Sequence, residues 1–126
     1  MLQTVIIPIL IGSIGGLIAA LCGVGGGVVM VPAFVMLLGI DQKTAIATSL
    51  AVIAPTAVVA IFKNTGNGLV DWKLFVPTAI GACLFAYFAT DWVKSMSNET
   101  LTRIFGGVMM VIARLQVWSF LSTAFP

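Results

Sequence analysis

The chain has 126 residues, of which 60% are hydrophobic and 8% charged, with a mean hydropathy of +1.18 and a net charge of +2. A soluble domain carries about 25% charged residues, so this is an all-α integral membrane protein with room for about four membrane helical segments of about 20 residues each and no soluble domain. The scattered Lys and Arg exclude nucleic acid as a partner, and the absence of His with a single Glu, Glu99, leaves no metal-ligand cluster and no catalytic triad, so neither enzyme activity nor a cofactor is expected.

The first apolar stretch runs from about Val5 to Leu38. At about 1.5 Å per residue a single helix of that length would exceed a hydrocarbon core of roughly 30 Å, so it must break. The break falls in Cys22-Gly-Val-Gly-Gly-Gly27, where Gly23, Gly25, Gly26 and Gly27 lower helix propensity and leave backbone amides uncovered. A helix is predicted over residues 4 to 22, containing Gly12-Ser-Ile-Gly-Gly16, a small-xxx-small pattern suited to helix packing. No Lys or Arg precedes the apolar run and Leu21 is too large to precede a signal cleavage site, so this helix is read as retained. A shorter helix follows over residues 27 to 38, with Pro32 near its start.

Asp41 is placed to cap the next helix, predicted from Gln42 to Phe62, which carries Thr44, Thr48, Ser49 and Thr56. Pro55 in its interior removes one hydrogen bond and predicts a kink. Lys63 to Lys73 reads as a loop, with Asp71 as the cap of a helix running to about Trp92 and a Trp at each end of it, where the amphipathic ring suits the water interface. Ser97 or Asn98 caps the last helix, predicted from Thr100 to Phe120. Cys22 and Cys83 lie inside apolar runs and read as packing residues.

Non-helical backbone at membrane depth is tolerated only where protein buries it or it lines a polar cavity. The glycine break is therefore a candidate anion site, with exposed amides at the positive end of the short helix and Thr48 and Ser49 as hydroxyl donors from the next one. The competing reading is that the glycines only permit close helix crossing and the hydroxyls bond back to their own helix. Arg114 stands well inside the last span. It either snorkels to the head groups or faces an anion pathway.

Gly23-Val-Gly-Gly-Gly27 followed by Val31-Pro32, then Ala45-Ile-Ala-Thr-Ser-Leu50, then Gly68-Leu-Val-Asp-Trp72 resemble, in order and approximate spacing, the motifs of the sulfite exporter (TauE/SafE-type) anion transporters. The resemblance covers nearly the whole chain. It implies a single transmembrane domain over 1-126, a multi-pass location in the cell (inner) membrane, and secondary transport of small anions such as sulfite, sulfoacetate or related sulfonates. Substrate-binding residues would then be Gly23, Gly25, Gly26, Gly27, Thr48, Ser49 and Arg114. Typical members hold two such repeats, and this chain holds one. A homodimer of half-length chains is expected, the alternative being a non-transporting membrane subunit that pairs with a larger partner.

Orientation follows the Lys and Arg difference between the two sides. Lys43, Lys94 and Arg103 fall on one side and Lys63, Lys73 and Arg114 on the other. With no bias between them, insertion in both orientations and an antiparallel homodimer are expected.

Overall fold

The computed structural model describes residues 2–125, arranged as helices alone. α1 is Leu2–Cys22, α2 Gly27–Leu38, α3 Gln42–Gly66, α4 Trp72–Ser95 and α5 Asn98–Ala124. α1, α3, α4 and α5 are long and apolar enough to cross a membrane, and α2 is a shorter apolar helix. The predicted break between α1 and α2 is present, and the helices run a few residues beyond their predicted ends. α3 continues through Lys63 to Gly66, where the lysine charge in the last turn suits the negative end of the helix dipole. It stays helical through Pro55, beside which the Thr56 hydroxyl donates to the carbonyls of Val52 and Ile53.

α2 folds back along α1. The Met30 side chain comes within 2.6 Å of where a Cβ on Gly15 would stand, and the same position on Gly26 would lie 2.9 Å from the Gly15 carbonyl. A chain that continued straight on would place Met30 roughly 20 Å beyond Gly15. α2 then turns at Gly39, which has φ +66, and runs antiparallel to α3 as well, because Gly27 meets Ser49 and Ile53. α1 and α3 are thus parallel, with α2 returning between them. Their shared core is Ile11, Met30, Val31, Phe34 and Ala45. The packing pattern expected at Gly12 and Gly16 is displaced: a Cβ at either meets nothing within 4 Å, and Gly15 is the residue of close approach.

Asp41 caps α3 by accepting from the Thr44 amide, and Asp71 and Ser97 cap α4 and α5. The α2–α3 and α4–α5 turns lie at one end of the molecule, the near side, tied by Lys43, whose amide donates to Asn98 Oδ1 (3.2 Å) and whose Nζ donates to the Lys94 carbonyl (3.1 Å). The α3–α4 connection marks the far side. α1 and α2 together enter from the near side and return to it, and α3, α4 and α5 each run from one side to the other. The packing is uneven: α1, α2 and α3 hold one another, α5 leans on α3, and α4 buries no residue. Cys22 and Cys83 are accordingly free and exposed, and neither packs inside the chain as its sequence setting had implied.

Candidate functional site

The break is built by glycines because its backbone demands them. Gly23, Gly25 and Gly26 have φ of +67, +78 and +60, a region that costs a residue with a Cβ about 1–2 kcal/mol. Gly23 closes α1 by donating to the Ala19 carbonyl (2.8 Å), and Gly26 opens α2 as a cap with no side chain, its carbonyl accepting from Val29 and Met30. Gly27 donates back to Gly25. The amides of Val24, Gly25, Gly26 and Val28 are left with no protein acceptor.

Depth is set by α3. Gly25 and Gly27 both lie against Ile53, about 15 Å along the helix from Lys43 and as far from Lys63. The break therefore sits midway between the two lysines that bound the span. It is walled on one side by Gly15 and Met30 and on another by Ser49 and Ile53, and Val24 remains exposed.

The proposed hydroxyls part company. Ser49 is 2% exposed, stands 3.7 Å from where a Cβ on Gly27 would be, and spends its proton on the Ile46 carbonyl (2.8 Å), leaving its oxygen as an acceptor. Thr48, one position earlier on the helix, is exposed on α3 and does not share the buried position of Ser49 beside the break. Arg114 is exposed on α5, about 24 Å along the helix from Asn98. It lines open grooves of about 630 and 530 Å³, with Met110, Val111, Ala113 and Val117 in the first and Leu115 and Trp118 in the second. Among the described residues it has no carboxylate partner; the ion pairs are Lys94–Asp91 (3.2 Å) and Arg103–Glu99 (2.6 Å). The structure thus brings the glycines and Ser49 together and leaves Thr48 and Arg114 apart from them within one chain. Ile53 and Met30, which seal the break, escape a sequence reading because their apolar side chains look like any other span residue. Gly15 was visible only as one glycine of a larger run.

The four acids, Asp41, Asp71, Asp91 and Glu99, are all at helix ends, and each caps a helix or pairs with a basic residue. Asp41 accepts from the Thr44 hydroxyl (2.7 Å), which with the Thr44 amide holds its carboxyl below the ordinary 3.8.

The chain is similar in sequence to several known membrane proteins. A probable membrane transporter protein of Methanocaldococcus jannaschii is 26% identical over 82% of this chain and 40% of its own length. One from Haemophilus influenzae is 27% identical over 90% of this chain and 58% of its own, and the probable membrane transporter YunE of Bacillus subtilis is 28% identical over 84% and 39%. The chain spans about half the length of these relatives. No solved structure gives a significant match. The sequence model of the sulfite exporter TauE/SafE family matches residues 2–114, and the chain belongs to that family of multi-pass membrane proteins.

Proposed function

We propose that the chain is half of a secondary transporter for small anions, of the sulfite or sulfonate class, working as a pair of half-length units rather than as an enzyme. The observation that supports this is the break: Val24, Gly25 and Val28, exposed or half-buried, present unpaired N–H groups at mid-depth, at the positive end of α2, with the unpaired amide of the buried Gly26 behind them. Nothing apolar satisfies such groups, and an anion does. Arg114 supplies the one uncompensated cation on the outer half of α5.

The test is a substitution that removes one donor and little else. Val28 is in the first turn of α2, where proline is tolerated and its amide makes no protein bond. Val28→Pro should insert normally and slow sulfite flux in proteoliposomes about tenfold or more, the loss expected for one charge-assisted hydrogen bond of roughly 1.5–3 kcal/mol. Flux at the parent rate would make the break a packing device.

A further inference from the structure

α4 buries no residue and packs closely against no other helix. Apart from its two connections it is tied down by the Lys43 bond to the Lys94 carbonyl. Lipid would suffice to cover a uniformly bulky helix, but the middle of α4 carries a stripe of small residues, while Gly81 is the one small residue among the bulky ones opposite. Ala79, Ala82, Cys83 and Ala86 recur at helical spacing on one face, and Leu84, Phe85 and Phe88 stand on the other. A face of small residues lets a second backbone approach closely, and within this chain nothing has done so.

We infer that this face of α4 docks on the α4 of a second copy of the chain inserted the opposite way round. The proposal rests on the half-transporter reading and names its partner. The stretch shared with this chain is 40% and 39% of the length of two of the relatives, which leaves room in each for a second unit of this size. α1 starts on the near side and α5 ends on the far side, so a second unit following in one chain would be upside down. A separate copy reproduces that arrangement by inserting inverted. Lys43, Lys94 and Arg103 on the near side balance Lys63, Lys73 and Arg114 toward the far side, so neither orientation is preferred.

The small face also survives inversion. Its middle, between Ala82 and Cys83, lies within about 2 Å along the helix of the midpoint between Lys73 and Lys94, the basic residues near the two ends of α4, and therefore close to mid-depth. In an inverted pair centred on this face Ala79 comes level with Ala86 of the other copy, and Ala82 with Cys83, an offset of about 3 Å from inversion about the two lysines. A face placed nearer one end would meet bulky residues instead. The glycine break, also at mid-depth, comes to the same level in both copies, as a single central site between inverted units requires.

Cysteine crosslinking in native membranes tests the pairing without reference to transport. In a background carrying Cys22→Ser and Cys83→Ser, Ala79→Cys and Ala86→Cys are placed on separately tagged chains and oxidised, alone and together. These positions differ by about 10 Å in depth, and a disulfide needs Cα atoms within about 7 Å. The expected result is a disulfide between the two tags in the mixed sample and none between identical copies of either variant. A chain with Cys22→Ser alone should also crosslink through Cys83. Crosslinks within a single variant would show a parallel pair, and no crosslink in any sample would show that α4 faces lipid or another protein. Either result overturns the proposal. Sulfite flux measured on the same membranes reads the transport proposal separately, since a pair that crosslinks but moves no anion would leave the interface standing and remove the function.

Discussion

Gly15 and Gly12 differ by one turn of the same helix and should respond to substitution in opposite ways. Gly15→Leu has to displace Met30, which is 1% exposed and central to the core, whereas a side chain at Gly12 enters open space. We expect Gly15→Leu to destabilise the detergent-solubilised protein by about 1–3 kcal/mol, the usual range for overpacking, and Gly12→Leu to leave its thermal midpoint unchanged. At the break, Gly25→Val combines a strained φ of +78 with contact against Ile53 and should abolish flux even in protein that reaches the membrane. The sequence exposed the break itself, because four glycines between two apolar runs have few other uses. It did not show which glycine of the α1 run makes the contact, because that depends on the register of α2, set by Met30 from the partner helix. Nor did it separate Thr48 from Ser49: the two are adjacent in sequence, and only the direction in which α2 packs decides which one faces the glycines.

At the scale of elements, the position of Arg114 on α5 bears on its role. Side chains on a helix leave the backbone leaning toward its N-terminus, which for α5 is the near side, so the reach of Arg114 to the far head groups is shorter than its place along the helix alone would give. We therefore expect Arg114→Leu to insert normally and to lose most of its flux, with Arg114→Lys retaining part of it. Parent-level flux in the leucine variant would assign the residue to the head-group region. The helix caps behave differently. With its carboxyl held below 3.8 by Thr44, Asp41 contributes its stabilisation at any pH above that value and loses it only as pH falls through the lowered value. Thermal stability between pH 5 and 8 should accordingly be the same in the parent and in Asp41→Asn in its dependence on pH, if not in level. Helix positions were legible in advance to within about a turn, because caps and apolar runs are local signals. That α4 buries no residue within the chain was not legible, since nothing in its composition distinguishes a helix packed inside a chain from one packed between chains.

At the scale of the molecule, α1 and α2 return to the near side while three helices follow, so the described chain begins and ends on opposite sides. The balanced basic residues then predict that a reporter fused after α5 is found on both sides of the membrane in comparable amounts. Asn64→Lys with Thr65→Lys, beside Lys63, should push the population toward one orientation and lower flux with it. The transport proposal requires that this short chain move anions across a membrane. The most direct measurement is sulfite entry into liposomes reconstituted with the purified chain alone, against protein-free liposomes. Saturable entry that is lost in Gly25→Val is the predicted result, and entry no faster than in protein-free liposomes, from protein shown to be inserted and folded, would contradict it and make the chain a non-transporting subunit.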